Sequence, residues 1–270
     1  MKIGYFGEMG AYSNIAAKRM MAGEYVPMKF IKSIFDSMKR NEIDYGVVPI
    51  ENSIEGSVNE TYDNLFNENF YVVKEYFLRI NHCLIGFKGT EIDAIKCVHS
   101  HPQALAQCSD FIYRNNMIPI SEYDTAGSIN IIKNLKNVEH AAIASELAAG
   151  IYNMEILKRD IENNKNNYTR FFLISKKEEE FTGNTRTSIV FSTENKPGAL
   201  HKILGIFEKY GINMSKIESR PVKYNPFNYI YFIDFEDNQY SKNALDDVKN
   251  STSLFKKIGT YKIAGLDSNI

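Results

Sequence analysis

The sequence predicts an α/β protein made of two parts. As far as Ile174, short apolar segments alternate with amphipathic ones, which is the pattern of strands and helices in a parallel α/β sheet. From Thr187 onward the order is strand, helix, strand, strand, helix and strand, which is the ferredoxin-like arrangement. The segment 176–185 between them is first charged and then turn-like, so we interpret it as the boundary between the two parts.

The composition excludes several classes of function. With 44% apolar residues and a net charge of -1, the chain can form a core but offers no basic surface for nucleic acid. No apolar run approaches membrane length, and the N-terminus reads as a strand rather than a signal peptide, so we expect no membrane partner. Cys83, Cys97 and Cys108 form no C-x-x-C pair, which favours reduced thiols and a cytoplasmic location.

The first predicted elements are a strand over 3–6 and a helix over 14–21, joined by a glycine turn. Gly4, Gly7 and Gly10 do not form G-x-G-x-x-G, and no P-loop lysine follows them, so the turn gives little support to nucleotide binding. A second buried strand, 45–50, is followed by the polar segment 51–57 and then by a helix.

Further along, the same arrangement recurs. A strand over 96–99 leads into Ser100-His101-Pro102, which opens a helix that continues past Cys108 to Ile112. Proline suits the first helical turn because its missing N–H costs nothing there. The segments 124–128 and 141–146 also lead into helices.

Several strand-to-helix turns are therefore rich in Gly, Ser, Thr and Asn. Helix N-termini offer unpaired N–H groups and a positive dipole end, and such turns collect at the carboxyl ends of parallel strands. Together they predict a site for a small anion. For any one turn, ordinary helix capping explains the same residues.

The segment Asn167-Tyr168-Thr169-Arg170-Phe171 adds a cation to this picture. It runs directly into a buried strand. An arginine guanidinium can hold a carboxylate through two parallel hydrogen bonds, and a threonine adds a neutral donor. The alternative is an arginine paired with a surface acid beside a threonine at a strand start.

A metal site is a weaker alternative. Cys97, His99 and His101 occupy every second position, and residues two apart lie on the same face of a strand. No fourth ligand is apparent, so we interpret them as packed structural residues and predict no metal.

In the second part we expect strands over 187–193, 212–223, 229–235 and 255–263. The middle two flank an Asn225-Pro226 turn, and the helices follow Pro197-Gly198 and span 244–250.

Three motifs in the first part resemble the signatures of prephenate dehydratases: Val48-Pro49-Ile50-Glu51-Asn52-Ser53 with Gly56, Ser100-His101-Pro102-Gln103-Ala104 with Gln107, and Asn167-x-Thr169-Arg170-Phe171. In the second part, Pro197-Gly198-Ala199-Leu200 and Glu218-Ser219-Arg220-Pro221 resemble the regulatory ACT domain attached to those enzymes. The resemblance covers nearly the whole chain. It implies a two-lobed catalytic domain of periplasmic-binding-protein-like fold over 1–178, and an ACT domain over 186–266.

The family converts prephenate to phenylpyruvate on the way to phenylalanine, and the resemblance implies the same carbon–oxygen lyase activity here without a cofactor. Because the sequence starts directly at the catalytic motifs, we expect a monofunctional enzyme. An arogenate dehydratase and a non-catalytic small-anion sensor with an ACT domain remain as alternatives.

The resemblance also implies roles for individual residues. We expect Arg170 to hold a substrate carboxylate and Thr169 to assist the leaving hydroxyl, with Glu51 as a second candidate proton donor. The residues expected to position the substrate, or to pack beside it, are Asn52, Ser53, Ser100, Gln107, Thr125 and Phe171. A capping pair at Glu51 and Asn52, and a solvent-facing Gln107, are the structural alternatives.

For the ACT domain the resemblance implies L-phenylalanine as an allosteric inhibitor. A helix that opens at Gly198 can receive a carboxylate. The expected phenylalanine-binding residues are Gly198, Ala199, Leu200, Asn213, Met214, Glu218, Ser219 and Arg220. ACT domains usually pair edge to edge, so we expect a homodimer or homotetramer.

Overall fold

The computed structural model describes residues 1–221 and 229–266. Contacts divide the chain into two compact units: Met1–Thr61 with Tyr76–Leu173 and a short piece from Gly265, and Tyr62–Glu75 with Ile174–Ala264. The first unit contains two lobes, and the second contains the ferredoxin-like domain. No helix among the described residues is long and apolar enough to cross a membrane.

The elements of the first lobe alternate as the sequence predicts. They are β1 (Lys2–Phe6), α1 (Tyr12–Met20), β2 (Glu24–Met28), α2 (Ile31–Lys39), β3 (Tyr45–Asn52), β4 (Gly56–Ser57), α3 (Asn59–Asn67) and β5 (Tyr71–Arg79). Helix α2 shows why they form: it buries Ile31, Ile34, Phe35 and Met38, which recur at the spacing of one helical face.

The second lobe begins immediately after β5. Its elements are β6 (Cys83–Gly86), β7 (Cys97–Ser100), α4 (Pro102–Gln107), α5 (Ser109–Arg114), β8 (Ile118–Ser121), α6 (Gly127–Leu135), β9 (His140–Ala144), α7 (Glu146–Tyr152) and β10 (Glu155–Lys158). The chain then returns to the first lobe as β11 (Tyr168–Ser175). It therefore crosses between the lobes twice, through 80–82 and 159–167.

The two lobes have separate sheets. The strand order is β2-β1-β3-β11-β5 in the first, with β4 paired to β3, and β10-β6-β9-β7-β8 in the second. Strand β1 is parallel to both of its neighbours, and β7 is parallel to β8 and β9. The ends of several parallel strands are thereby brought close to the crossovers.

Two sequence predictions in this unit were wrong in detail. The strand predicted to end at Ile50 continues through Glu51 and Asn52, because these residues pair with Ser57 and Gly56 in a short hairpin. The single helix predicted past Cys108 is divided there into α4 and α5, since Cys108 has φ -114° and ψ 15°. Pro102 does occupy the first turn of α4, as predicted.

The second unit has the predicted ferredoxin-like order. Its elements are β12 (Thr185–Ser192), α8 (Ala199–Lys209), β13 (Met214–Pro221), β14 (Tyr229–Glu236), α9 (Ser241–Asn250) and β15 (Leu254–Lys262). The sheet order is β13-β14-β12-β15 with antiparallel neighbours. Apolar side chains of α8 and α9, among them Ile203, Phe207 and Val248, pack on it. The end of the predicted strand 212–223 and the Asn225-Pro226 turn lie outside the described residues.

Candidate active site

A cavity of about 100 Å³ lies where the chain crosses between the two lobes. The crossovers are joined there by a hydrogen bond from the Ile80 amide to the Asn167 carbonyl, at 2.8 Å. The residues that line the cavity come from both lobes and from the first crossover: Tyr12, Asn52, Ile80, His82, His101, Gln103, Ala104, Gln107, Thr125 and Thr169.

Thr169 is held in the cavity by Asn52. The Asn52 Nδ2 group donates to Thr169 Oγ1 at 3.0 Å and to Asn167 Oδ1 at 2.8 Å. Asn52 Oδ1 in turn accepts from the backbone amides of Ile54 and Glu55. Because Thr169 Oγ1 accepts from Asn52, its own hydrogen is left to donate to a ligand.

A buried polar chain continues from Asn52 into the second lobe. Asn167 Nδ2 donates to Gln107 Oε1 at 2.8 Å, and His82 Nε2 lies 3.0 Å from the same oxygen. His82 Nδ1 lies 3.0 Å from the Tyr12 hydroxyl, which also donates to the Asn81 carbonyl at 2.6 Å. We call Asn52, Asn167, Gln107 and His82 the polar chain. All four side chains are buried, so their mutual hydrogen bonds fix their orientation.

Burial shifts the pKa values of the titratable groups at the His82 end of the polar chain. Burial lowers the pKa of His82, while the hydrogen bond to Gln107 and the nearby Glu162 carboxylate act in the opposite direction. Glu162 is itself buried, and it accepts a hydrogen bond from the His82 amide at 3.0 Å. Burial also raises the pKa of Tyr12 well above its ordinary value, so this phenol stays protonated.

Four of the predicted site residues line the cavity: Asn52, Gln107, Thr125 and Thr169. Gln107 is buried, so its alternative interpretation as a solvent-facing residue was wrong. Asn52 caps the turn after β3, which agrees with its alternative interpretation as a capping residue, and it also donates a hydrogen bond to Thr169.

Ser53 and Ser100 hold the surrounding backbone instead, and Phe171 packs in the core. The Ser53 hydroxyl donates to the Asn166 carbonyl and accepts from the Tyr168 amide, so it ties β3 to the start of β11. The Ser100 hydroxyl donates to the Ile143 carbonyl at 2.7 Å in the interior. Phe171 is 1% exposed and belongs to the core.

Arg170 and Glu51 do not line this cavity. Successive residues of a strand point to opposite faces, so Arg170 lies on the face of β11 opposite Thr169. Its guanidinium carbon lies 4.7 Å from the centre of the Phe172 ring and 5.7 Å from that of Phe77. Glu51 is half-buried in the β3–β4 hairpin. Their roles in carboxylate binding and proton donation stay predictions.

Two residues that the sequence did not single out belong to the site, Tyr12 and His82, and His101, which was considered only within a motif and for a metal, lines it as well. Tyr12 and His82 carry no motif signal, because they meet only when the two lobes fold together. Asn167 belongs to the motif Asn167-x-Thr169-Arg170-Phe171 and is not among the expected site residues. Residues two apart in a strand lie on the same face, so the position of Asn167 two residues before Thr169 was the signal that could have placed Asn167 at the site.

The two histidines considered for a metal, His99 and His101, have other hydrogen-bond partners. His99 Nδ1 lies 2.8 Å from Glu122 Oε1, and His99 Nε2 lies 2.8 Å from His140 Nδ1. In residues 1–221 and 229–266 there is no group of three or more His, Cys, Asp or Glu arranged to hold a metal ion.

The second unit has a smaller cavity of about 70 Å³ at the start of α8. It is lined by Thr193, Glu194, Asn195, Lys196, Ala199, Leu200, Tyr229 and Tyr231. Ala199 and Leu200 were predicted, and Gly198 precedes them with φ 80° as the N-cap of α8, which has no side-chain cap.

The other predicted phenylalanine-binding residues do not line this cavity. Asn213 precedes β13, while Met214, Glu218, Ser219 and Arg220 lie on it. Met214 packs against the core of the domain, and Arg220 forms an ion pair with Asp63 at 3.1 Å. Their part in ligand binding stays a prediction.

Family models match both parts of the chain. The model for prephenate dehydratase matches residues 3–179, and the model for the ACT domain matches residues 187–250. The chain belongs to the prephenate dehydratase family. The resemblance noted in the sequence motifs is therefore confirmed.

Two curated relatives illustrate the range of this prephenate dehydratase family. The chain is 36% identical to arogenate dehydratase/prephenate dehydratase 2, chloroplastic, of Arabidopsis thaliana, over 97% of this chain and 73% of the relative. It is 35% identical to the bifunctional chorismate mutase/prephenate dehydratase of Aquifex aeolicus, again over 97% of this chain and 73% of the relative.

Solved structures are similar over the full length. A prephenate dehydratase from Arthrobacter aurescens, in complex with L-Phe, has a TM-score of 0.90 and 27% identity, and the match covers 98% of this chain and 90% of the other. A structure described as GqqA, a novel type of quorum quenching acylase, has a TM-score of 0.89 and 28% identity over 98% of both chains. The predicted fold class is confirmed: a two-lobed, periplasmic-binding-protein-like domain followed by a ferredoxin-like ACT domain.

Proposed function

We propose that this chain converts prephenate to phenylpyruvate in phenylalanine biosynthesis, with residues 1–178 as the catalytic domain and 186–266 as the regulatory one. The observation that carries the proposal is the Thr169 hydroxyl, which lines the cavity and accepts a hydrogen bond from Asn52, so that its own hydrogen is left to donate to a ligand. The activity is that of a carbon–oxygen lyase. The free cysteines support a cytoplasmic location.

The reaction requires little from the protein beyond positioning the substrate and donating hydrogen bonds to it. The bond from the ring to its carboxylate breaks, the electron pair enters the ring, and the ring hydroxyl leaves with a proton as water. Prephenate dianion and one proton thus give phenylpyruvate monoanion, carbon dioxide and water. Aromatisation drives the reaction, so no cofactor is needed.

Thr169 assists the departing hydroxyl by donating a hydrogen bond as negative charge builds on that oxygen. A donor fixed at such a position typically contributes about 10²–10³ in rate. A threonine hydroxyl is a weak acid, so it stabilises the leaving group and does not surrender its proton. Gln107 and Asn167 act one step away, because they hold Asn52 in the orientation that Thr169 needs.

Turnover of prephenate to phenylpyruvate tests this assignment, with Thr169→Ser and Thr169→Val as a matched pair. Serine keeps the hydroxyl and should retain a large part of kcat, whereas valine keeps the shape and should lose about 10²–10³ in kcat. Equal activity of the two variants would remove the hydroxyl from the mechanism. Binding of prephenate by the wild-type chain without any turnover would favour the small-anion sensor.

Arogenate is the alternative substrate that a specific observation favours. The Arabidopsis relative is named for both arogenate and prephenate. Arogenate differs from prephenate only by an amine in place of the keto group, and the same leaving hydroxyl would meet Thr169. Comparison of kcat/KM for the two substrates on one preparation decides between them.

L-Phenylalanine binds, in our proposal, at the cavity beside α8 and inhibits the enzyme. Apolar Leu200 and the rings of Tyr229 and Tyr231 suit the benzyl group, and the uncapped start of α8 suits the carboxylate. The Arthrobacter aurescens relative was solved with L-Phe, which supports this ligand. Equilibrium binding of L-phenylalanine by the wild-type chain and by Leu200→Glu tests the site. Equal affinities would place the ligand elsewhere.

Strand β13 supports the predicted homodimer or homotetramer. It lies at one edge of the ACT sheet, and its residues alternate between half-buried and exposed. Pairing of two such edges would bring Asn213, Glu218, Ser219 and Arg220 of one protomer toward a second copy. Sedimentation of the wild-type chain and of a variant with Ser219→Pro, which removes a ladder donor, tests this edge.

A further inference from the structure

The described residues that line the catalytic cavity include no permanent cation to balance its substrate. Neither lysine nor arginine occurs among them, although prephenate carries two carboxylates. The lining groups that can become positive are the imidazoles of His82 and His101. Their hydrogen bonds decide which of them carries a charge.

His101 is used as a helix cap. It caps α4, and its Nδ1 accepts a hydrogen bond from the Gln103 amide at 3.3 Å. A backbone amide can only donate, so this nitrogen keeps its lone pair. His101 Nδ1 is therefore engaged as an acceptor in this structure.

The orientation of the polar chain is fixed at the end that is remote from His82. The backbone amides of Ile54 and Glu55 point at Asn52 Oδ1, at 2.9 and 3.0 Å. Because these donors cannot reverse, Asn52 must present its Nδ2 to Asn167 Oδ1. Asn167 must then present its Nδ2 to Gln107.

Gln107 Oε1 is consequently an acceptor, and His82 Nε2 at 3.0 Å must carry a hydrogen. The opposite side of the ring is constrained as well. The single hydrogen of the Tyr12 hydroxyl goes to the Asn81 carbonyl at 2.6 Å, because a carbonyl can only accept. Tyr12 Oη then faces His82 Nδ1 at 3.0 Å as an acceptor, so that a hydrogen added to this nitrogen has a partner ready to receive it.

Both ring nitrogens of His82 are thus placed to donate, which only an imidazolium can do. In either neutral form one of the two contacts would join two lone pairs. The Glu162 carboxylate, which accepts from the His82 amide, favours the positive form. Burial opposes it by lowering the pKa of His82.

Charged groups contact Glu162 and Gln107, and Arg79, Glu146, Arg159 and Asp160 line a neighbouring pocket with Tyr12 and Cys83. Lys165 Nζ lies 3.4 Å from Glu162 Oε1, with its side chain 53% exposed, and Glu55 Oε1 lies 3.5 Å from Gln107 Nε2. The buried thiols of Cys83 and Cys108 remain protonated, because burial raises the pKa of each. A bound dianion would therefore be the strongest new influence on the ring.

We propose that His82 takes a second proton from solvent as the dianionic substrate enters, and that the resulting imidazolium is the positive charge of the cavity. The proposal rests on the proposed function. Side-chain amides orient hydrogen bonds but do not pass protons on, so Gln107 and Asn167 isolate this proton from Thr169. His82 acts through its charge and is not the source of the proton that leaves with water.

Titration calorimetry tests the proposal with Thr169→Val, which should bind prephenate and turn it over slowly. Asn52 keeps its bonds to Asn167 and to the Tyr168 carbonyl in this variant, so the polar chain is preserved. Heats measured in phosphate and in Tris near neutral pH give the number of protons taken up. We expect about one per prephenate bound, and a Kd that rises about tenfold per pH unit.

Adding His82→Asn to Thr169→Val should abolish the proton uptake and flatten the pH dependence of Kd. The matched control is His201→Asn on the exposed surface of α8, which should leave the uptake at one. Prephenate binding without proton uptake would overturn the proposal and leave the proposed function standing. Failure of prephenate to bind at all would count against the proposed function instead.

A second measurement decides the matter if the His82 variant does not fold. In the Thr169→Val protein labelled with ¹⁵N-histidine, the two His82 ring nitrogens report their protons directly. Both should show the protonated signature with prephenate bound, and one should lose it when prephenate is absent. A ring with a single protonated nitrogen in the complex contradicts the proposal.

Discussion

Asn52 Nδ2 lies 3.0 Å from Thr169 Oγ1, and the amide donates to the hydroxyl. Asn52→Asp should reverse this hydrogen bond, because a carboxylate can only accept. Thr169 would then donate to the introduced carboxylate rather than to the leaving hydroxyl, and the new oxygen would repel Asn167 Oδ1. We expect kcat to fall about 10²–10³-fold with a smaller change in KM.

The matched control for that change is Asn137→Asp. Asn137 Oδ1 accepts from the Glu139 amide far from the cavity, and aspartate accepts equally well. Its kcat should equal that of the wild type. A wild-type kcat for Asn52→Asp would mean that the direction of the Thr169 hydrogen bond is unimportant.

Arg170→Lys separates a packing role from a binding role. The guanidinium lies over the rings of Phe172 and Phe77, on the face of β11 away from the cavity. Loss of this planar contact should lower the free energy of unfolding by about 1–2 kcal/mol, with little change in KM for prephenate. Urea unfolding and steady-state kinetics check it. A large rise in KM at unchanged stability would restore the carboxylate-binding role predicted from the sequence.

Glu75→Gln should destabilise the second unit. Glu75 is fully buried and accepts two hydrogen bonds from Arg186 Nη1, at 2.7 and 2.8 Å, and one from the Ala264 amide. Removing one charge of a buried pair typically costs about 3–5 kcal/mol, because the other charge is left uncompensated. Thermal unfolding measures the loss.

The control for the buried pair is an exposed one. Arg40→Gln removes the partner of Glu42 at the surface, where solvent screens the interaction, and the unfolding midpoint should not move. An equally small effect of Glu75→Gln would show that Arg186 finds other compensation.

The free protein should lose stability in mild acid through His82. Burial lowers the pKa of His82 below its ordinary value of 6.5, so the unfolded chain binds this proton more readily than the folded one. The contribution of neutral His82 to the free energy of unfolding is fully present above pH 6.5 and is lost as the pH falls through the lowered pKa of the folded state. Urea unfolding between about pH 5 and 8, roughly the range over which an imidazole titrates, measures how the free energy of unfolding changes with pH.

His82→Asn should flatten that slope because asparagine does not titrate. His201→Asn, at an exposed position, should leave it unchanged. A slope of the opposite sign would mean that the free protein already holds His82 as an imidazolium.

The sequence by itself determined the fold class, the family and several of the residues that line the cavity. Apolar periodicity identified both α/β parts, because each strand and helix buries one face whatever lies far away in the chain. The motifs identified Thr169, Asn52 and Gln107, which do line one cavity.

Tertiary structure decided which face of each element lines the cavity and which buried side chains contact the lining residues. Thr169 and Arg170 are neighbours in the chain, and strand alternation sends them to opposite faces, but only packing determines which face is the cavity. Tyr12 and His82 lie 70 positions apart, so no local pattern joins them. Hydrogen-bond direction follows from fixed backbone donors that only the folded lobes bring together, and for this reason the charge of His82 could not be predicted from the sequence.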